Sequence, residues 1–197
     1  IMAGTGVAAK HGILIKDAQA LEIAHQVDTV AFDKTGTLTV GQPRLISLTP
    51  VAGGENSLPE SDTQILLLAA SLQSGSEHPL AHAVVQAANA AGLTFRAPED
   101  VKAVPGFGSE GHVQGRNLLL GSLRWMETLS APSGHWQSQA AALQLQGATV
   151  SVLAQRTEAG VLPLAVLAFG DEPKPGVQAA LSLLRERGLR LVMISGD

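Results

Sequence analysis

The apolar residues of this chain fall into short groups with two different spacings. Continuous or alternating apolar runs are typical of strands, whereas apolar residues that recur every three or four positions are typical of helices. Strand-like runs occupy Val27–Phe32, Arg44–Val51, Ala148–Ala154, Leu162–Phe169 and Leu189–Ile194, and short strands separated by glycines are predicted across 103–121. Helices are predicted from about Ser61 to Gln73, from Pro79 to Ala91, from Gln137 to Leu145 and from Pro175 to Arg187.

Capping signals support several of these helix boundaries. Ser61 and Gln64 fit a capping box, in which two side chains satisfy free backbone N–H groups. Pro79 stands in a first turn, where its missing N–H has no consequence. The apolar face of the last helix is interpreted as core packing, and it comprises Val177, Ala180, Leu181 and Leu184.

The two ends of the chain differ from its middle. At the ends a strand runs into a polar loop at Asp33, and a helix feeds a strand that ends at Ile194, which is typical of a parallel sheet. The middle consists of hairpins and helices. We therefore predict an α/β domain with a partial parallel sheet, formed by 1–42 and 171–197. It is interrupted by an inserted α+β domain over 43–170, an antiparallel sheet flanked by helices.

Composition narrows the range of functions. Apolar residues make up 45% and charged residues 15%, which excludes a disordered chain. The formal net charge of −4 disfavours a nucleic-acid partner, because such proteins neutralise phosphates with excess Lys and Arg. The chain has no cysteine, which excludes disulfides, thiolate zinc sites and cysteine nucleophiles.

Neither a membrane span nor a signal peptide is predicted. A span needs roughly 18 apolar residues, and the longest apolar run, Val161–Phe169, is short and contains Pro163. We expect a soluble chain. It begins without Met and stops on Ser195-Gly196-Asp197 directly after an apolar strand, so we interpret it as a fragment.

The sequence DKTGTLT, which starts at Asp33, carries the strongest chemical signal. Asp33 lies at the carboxyl end of an apolar strand, where open α/β sheets bind ligands. The residues Lys34-Thr35-Gly36-Thr37 offer a cation, hydroxyls and backbone N–H groups in a tight turn, a setting for a phosphoryl group. A carboxylate there can form an acyl phosphate. An ordinary turn aspartate is the weaker interpretation.

Two other motifs are weaker. Gly106–Gly111 is a literal GxGxxG, but no long helix follows and the position about 20 residues further on is Ala131 rather than an acid, so a dinucleotide site is disfavoured. His78 and His82 invite a zinc interpretation, but Pro79 places His78 outside the helix and a third ligand is not evident.

The chain resembles the heavy-metal branch of the P-type ATPases, whose phosphorylation motif is DKTGTLT, the sequence that starts here at Asp33. The resemblance extends over essentially the whole chain and includes four further motifs. These are SEHPLAHAV (Ser76–Val84), VPGFGSEG (Val104–Gly111), GDEPKP (Gly170–Pro175) and MISGD (Met193–Asp197). The opening segment resembles that of copper-type members, from which zinc-type members differ only moderately.

For the outer segments the resemblance implies a haloacid-dehalogenase-like fold and a phosphorylation site. Asp33 would be the phosphorylated nucleophile and a magnesium ligand, Lys34 would neutralise charge, and Thr35 would give its carbonyl to magnesium. Thr35 also replaces the acid/base aspartate of related hydrolases, which implies slow loss of the phosphate. The remaining implied residues are Ser195 and Gly196 at the phosphoryl oxygens and Asp171 and Lys174 near the nucleotide phosphates.

For the middle domain the resemblance implies an ATP site. His78 would contact or position the nucleotide, and Glu77 would support the loop. The glycines Gly106, Gly108 and Gly121 would allow close approach of the backbone. Many members carry Glu where this chain has Gln73, whose amide still accepts a hydrogen bond from the adenine amino group but adds no charge.

The function implied is the ATP-binding and phosphorylation region of a heavy-metal P-type ATPase, with ATP and Mg²⁺ as cofactors. Copper(I) export is the favoured reaction, at the cytoplasmic face of the cell membrane. The partners would be ATP or ADP and the transmembrane and actuator domains of the same transporter. We expect the fragment to bind ATP weakly and hardly to phosphorylate itself. The alternatives are a soluble phosphatase of the same fold and a nucleotide-binding module without chemistry.

Overall fold

The structure, a computed structural model, describes residues 6–7, 9–14, 17, 23–51 and 61–194. Its strands are β1 (Thr29–Asp33), β2 (Arg44–Pro50), β3 (Asp100–Val104), β4 (Gly108–Val113), β5 (Arg116–Ser122), β6 (Thr149–Thr157), β7 (Gly160–Gly170) and β8 (Arg190–Ile194). Its helices are α1 (Asp62–Gln73), α2 (Pro79–Ala90), α3 (Leu123–Thr128), α4 (His135–Leu145) and α5 (Val177–Glu186). A short 3₁₀ turn covers Ala24–Gln26 and a π-type turn covers Lys34–Leu38.

The described residues form two compact units. The terminal unit contains those up to Leu38 and those from Pro173 onward, and the central unit is Thr39–Glu172. The unit boundaries thus lie within a few residues of the predicted domain boundaries at 42/43 and 170/171. The predicted α/β part with an inserted α+β part is confirmed.

In the terminal unit, β1 and β8 form a parallel pair. Their register places Asp33 opposite Ile194, so both strands end at the same edge. Helix α5 precedes β8 and begins at Val177, two residues later than predicted, because Gly176 before it adopts a left-handed conformation with φ of 84°. On the predicted apolar face of α5, Val177, Leu181 and Leu184 are half-buried and Ala180 is exposed, so within the described residues this face is partly covered and none of it is fully buried.

The central unit is built on a six-stranded antiparallel sheet in the order β2-β7-β6-β5-β4-β3. Helices α1 and α2 pack on one face, where Leu68 and Val84 join Leu118 of the sheet. Helices α3 and α4 pack on the other face, where Trp125 joins Leu119. Successive residues of a strand point to opposite faces, so adjacent leucines of β5 serve different cores.

Serine side chains cap the starts of two helices of the central unit, α1 and α3. The Ser61 hydroxyl accepts from the backbone N–H of Gln64 at 3.2 Å, which is the N-cap bond of the predicted capping box. The Ser122 hydroxyl accepts from Trp125 N–H at 3.3 Å and starts α3, which the sequence analysis did not predict. This short helix has too few turns for an apolar periodicity, and its signal is the serine cap alone.

Pro163 is accommodated within the sheet. Strand β7 pairs with β2 only over Ala165–Gly170, and Pro163 lies before that stretch, opposite Ala154 of β6. A register shift between Leu153 and Ala154 occurs at this point, as expected for a residue that cannot donate a ladder hydrogen bond. None of the helices in the described ranges is long and apolar enough to span a bilayer.

Candidate functional site

Asp33 ends β1 and its side chain is exposed at the carboxyl edge of the β1–β8 pair. The chain then enters the turn Lys34–Leu38, in which Gly36 has a φ of 76°. A β-carbon at Gly36 would meet nothing within 4 Å, so the backbone conformation alone favours glycine here. The turn follows a parallel strand that ends in the exposed carboxylate of Asp33, a geometry compatible with a phosphoryl acceptor.

Lys174 holds this turn from the second segment of the terminal unit. Its backbone N–H donates to the carbonyl of Leu38 at 2.9 Å, and its Nζ ammonium donates to the carbonyl of Gly36. An ammonium group is therefore fixed on the main chain of the turn that follows Asp33. A fixed cation at this place suits a site for a phosphoryl group.

The structure describes only some of the other residues predicted for the phosphorylation site in the terminal unit. Lys34 begins the turn and is half-buried, and the backbone of Thr35 lies within it. Ser195 and Gly196 lie outside the described residues. The strand that leads to them, β8, ends beside Asp33 in the parallel register.

Asp171 belongs to the central unit and has a structural role there. Its two carboxylate oxygens accept from the backbone N–H groups of Gly41 at 2.9 Å and Gln42 at 3.2 Å. The neighbouring Val40 N–H donates to the carbonyl of Glu172 at 2.9 Å. These bonds tie together the segments by which the chain enters and leaves the central unit. They also explain why this unit starts before the predicted residue 43.

A cleft of about 570 Å³ lies in the central unit. Most of its wall is apolar, which is typical of small-molecule sites of this size. Five of the six residues predicted to bind nucleotide line it, although they are distant in sequence: Gln73, His78, Gly106, Gly108 and Gly121. Further lining residues include Phe107, Ser109, Leu120 and Phe169, which the sequence analysis did not single out.

The glycines of the cleft are required for different reasons. Gly106 follows Pro105 in a β-turn closed by Phe107 N–H and the Val104 carbonyl at 3.0 Å, and its φ of 76° is the value that a type II turn needs. A β-carbon at Gly106 would meet no protein atom within 4 Å, so the space beside it is open. This open backbone is compatible with close approach of a ligand.

Gly108 and Gly121 instead permit close packing of the protein. The two residues face each other across β4 and β5. A β-carbon on Gly108 would overlap the carbonyl oxygen of Leu120 and lie 2.6 Å from Cα of Gly121. A β-carbon on Gly121 would overlap the Phe107 carbonyl and the Trp125 ring. These two glycines therefore shape the floor of the cleft.

His78 caps helix α2 at the mouth of the cleft. Its Nδ1 accepts from the backbone N–H of Leu80 at 3.2 Å, so in the neutral ring the proton resides on Nε2. Glu77 does not line the cleft. Its side chain is 98% exposed and lies 3.5 Å from Nε2 of His82, which is itself exposed.

Gln73 and Ser109 form a buried polar pair in the wall of the cleft. Gln73 is 6% and Ser109 is 8% exposed, and Nε2 of Gln73 donates to Oγ of Ser109 at 2.6 Å. Ser109 was not predicted as a site residue. Its only sequence signal is its place in the glycine-rich loop, because a pairing across 36 positions cannot be read from one sequence.

Aromatic residues support the cleft from one side. The rings of Phe107 and Trp125 lie 6.2 Å apart between centroids, in a tilted arrangement. Trp125 and Trp136 are 5% and 3% exposed and belong to the core, so packing rather than stacking on a base is their role, as the sequence analysis preferred. Phe107 and Phe169 are the aromatic residues that line the cleft.

The groups around Asp33 are compatible with a magnesium ion that is bound together with a phosphate. Among the residues that the structure describes, no three His, Asp or Glu side chains converge to form a metal site. Magnesium is commonly held by only one or two carboxylates together with substrate phosphates and water. The exposed carboxylate of Asp33 and a carbonyl of the adjoining turn therefore fit a magnesium ion that arrives with a phosphate.

The chain matches a known protein family over most of its length. Residues 27–197 match the family described as haloacid dehalogenase-like hydrolase. This range includes Asp33 and its turn, the whole central unit, and α5 with β8.

Individual proteins similar to the chain are metal-transporting ATPases. The "Probable copper-transporting ATPase PacS" of Synechococcus elongatus is 40% identical over 100% of this chain and 25% of its own length. The "Silver exporting P-type ATPase" of Salmonella typhimurium is 39% identical over 100% of this chain and 23% of its own length. The chain thus spans about a quarter of the length of the curated relatives it matches.

A solved structure is similar over the same range. A zinc-transporting PIB-type ATPase in its E2.Pi state superposes with a TM-score of 0.72 and 34% identity, covering 100% of this chain and 30% of the other. The resemblance to heavy-metal P-type ATPases stated from the motifs is confirmed by these similarities.

Proposed function

Because the chain belongs to the haloacid dehalogenase-like hydrolases, we propose that it is the nucleotide-binding and phosphorylation region of a P-type ATPase that transports a heavy metal. In this proposal the central unit binds ATP and Asp33 of the terminal unit receives the γ-phosphoryl group. The observation that carries it is the convergence of Gln73, His78, Gly106, Gly108 and Gly121 on one cleft.

The nucleotide would occupy the cleft of the central unit. The apolar surfaces of Phe107 and Leu120 are suited to a purine base, since burial of the base removes apolar surface from water. Nε2–H of His78 is the donor available at the mouth, because Nδ1 is used by the helix cap. The open backbone at Gly106 allows the nucleotide to lie against the turn. Glu77 is exposed outside the cleft, and it would support the loop next to His78 without contacting the nucleotide.

The chemical step would be an in-line phosphoryl transfer. A carboxylate oxygen of Asp33 attacks the γ-phosphorus, the bond to the oxygen bridging the β- and γ-phosphorus atoms breaks, and ADP leaves an acyl phosphate on Asp33. Lys34 and the ammonium of Lys174 offset the negative charge that gathers on the phosphoryl oxygens. Magnesium, which the Asp33 carboxylate and the Thr35 carbonyl would hold, supplies further positive charge there when bound. Ser195, Gly196 and Asp171 retain the predicted roles at the phosphates.

The acyl phosphate should persist long enough to be used. Thr35 occupies the position where related hydrolases have an acid/base aspartate, so a nearby group that activates water is absent from that position. We propose copper(I) as the transported ion on the similarity to copper- and silver-transporting proteins. The transmembrane and actuator domains of the same transporter would be partners, with this region on the cytoplasmic face.

A nucleotide titration of the ¹⁵N-labelled chain tests the central part of the proposal. ATP should shift the amide resonances of Gln73, Gly106 and Gly108, and His78→Ala should weaken binding about tenfold through loss of one hydrogen bond to a charged or buried group. His135→Ala, at an exposed position of α4, is the matched control and should bind as the wild type does. Shifts confined to other regions, or equal effects of the two substitutions, would contradict an ATP site in this cleft.

The phosphorylation step is tested in the transporter from which we propose that the chain derives. Asp33→Asn should abolish acid-stable label from γ-labelled ATP and leave the affinity of the cleft for ATP within about twofold, because Asp33 belongs to the other unit. Label that survives the substitution would assign the acyl phosphate to another residue.

A further inference from the structure

The buried pair of Gln73 and Ser109 bears on which bases the cleft accepts. Both side chains line the cleft, and both are more than nine-tenths buried. A base that enters an apolar cleft must satisfy its polar edge there, because an unpaired polar group costs free energy on burial. A buried amide in the wall is therefore positioned to meet that edge.

The chemistry of the pair allows two arrangements. In the observed one, Nε2 of Gln73 donates to Ser109 Oγ at 2.6 Å, which leaves the amide oxygen able to accept from a ligand. If the amide turns over by half a rotation, the Ser109 hydroxyl donates to Oε1 and an N–H faces the cleft. A hydroxyl can donate or accept, and the two ends of an amide are nearly equal in size, so Ser109 satisfies either arrangement.

Gln73 can therefore present either an acceptor or a donor to a ligand. A 6-amino purine offers a donor at the six-position and requires an acceptor from the protein. A 6-oxo purine offers an acceptor there and requires a donor. A carboxylate at position 73 would only accept, and it would leave a 6-oxo group facing a negative charge.

We propose that the Gln73–Ser109 pair makes this cleft accept 6-oxo as well as 6-amino purine nucleoside triphosphates. This inference rests on the proposed nucleotide site and adds to it the part of the base that Gln73 meets. Gln73 is the residue that determines base selectivity, and Ser109 is a positioning residue that supports both orientations of its amide.

ATP and ITP provide the test, because their bases differ only by the amino or oxo group at the six-position and the associated proton on N1. Calorimetric titration of the full chain should give dissociation constants for the two that agree within about threefold. Gln73→Glu should keep ATP binding and weaken ITP binding by roughly tenfold or more, since the 6-oxo group then lacks a donor. Gln144→Glu makes the same chemical change at an exposed position of α4 and should leave the ratio unchanged.

The outcomes separate this inference from the proposed function. If neither nucleotide binds, the nucleotide site itself is wrong. If the wild type binds ATP at least tenfold more tightly than ITP, or if Gln73→Glu leaves the ratio unchanged, the site stands and the inference is wrong. Should Gln73→Glu fail to fold, the side-chain NH₂ resonances of Gln73 in the wild type replace it. They should shift with both nucleotides while those of Gln144 do not, and a shift with ATP alone would overturn the inference.

Discussion

In the central unit, side chains that are less than a tenth exposed come from Thr39, strands β4–β7 and helices α1–α4, whereas no side chain that the structure describes in the terminal unit reaches that degree of burial. The terminal unit nevertheless carries DKTGTLT, the most informative motif of the sequence. Apolar burial is the main source of folding free energy. The comparison indicates that stability is concentrated in the central unit, while the predicted phosphoryl acceptor lies on a lightly packed pair of strands.

The largest expected difference between the two units is in the free energy of unfolding that is lost when one leucine of each unit is truncated. Leu153 is 0% exposed in the central core and Leu183 of α5 is 59% exposed. Leu153→Ala should lower the free energy of unfolding by about 2–5 kcal/mol, through lost burial and a cavity. Leu183→Ala should change it by less than about 0.5 kcal/mol. Urea unfolding followed by circular dichroism and by tryptophan fluorescence measures both, and similar losses for the two variants would show that α5 packs in a core of its own.

Within the central unit, two glycines of the cleft should differ in how much stability is lost on substitution by alanine. Gly108→Ala should cost about 2–3 kcal/mol, because the new methyl group overlaps the backbone of β5 and sheet strands cannot separate cheaply. Gly106→Ala should cost only about 1 kcal/mol, for the left-handed backbone alone. Thermal unfolding of the two variants gives the order. A larger loss for Gly106→Ala would mean that the turn, and not the close pairing of β4 and β5, limits stability.

Asp171 and Glu172 lie where the chain leaves the central unit, and their substitutions should differ by a smaller amount of unfolding free energy. Asp171→Ala removes the acceptor of two backbone N–H groups and should cost about 1–2 kcal/mol. Glu172→Ala removes an exposed ion pair with Arg44, in which the N–O distance is 2.8 Å, and should cost less than about 0.5 kcal/mol. Chemical unfolding in low and high salt distinguishes them. Equal losses would mean that the clamp on Gly41 and Gln42 adds nothing.

The smallest effect is expected at the most conspicuous residue. Asp33→Asn should change the free energy of unfolding by less than about 0.5 kcal/mol, because the carboxylate is exposed at a strand end. Unfolding curves of the wild type and the variant should superpose. A loss above about 1 kcal/mol would show that Asp33 stabilises the terminal unit in addition to any chemistry.

Local features of the fold could be predicted from the sequence because their causes are local. The cap at Ser61, the proline start of α2 and the strand before Asp33 each depend on residues close together in the chain. Helix α3 was missed because its six residues give too short a pattern. The extent of burial on α5, where Val177, Leu181 and Leu184 are only half-buried, could not be predicted, because amphipathicity reports which side of a helix is apolar and not how much protein covers that side.

The sequence predicts individual residues of the candidate site but not the contacts between them. The motif glycines were found, yet the structure shows that Gly108 and Gly121 serve the packing of β4 against β5. The bond between Gln73 and Ser109 and the clamp made by Asp171 join positions far apart in the chain. Such pairings depend on the register of the sheet, which one sequence does not specify.

The clamp at Asp171 has a topological consequence. It bonds residues 130 positions apart, so the chain leaves the central unit beside the place where it entered. The entropy of closing a loop depends on how far apart its ends are held, and a folded module with adjacent ends adds little more than a tight turn would. We therefore expect the central unit to fold when it is expressed alone, because its two ends are held next to each other by bonds within the unit.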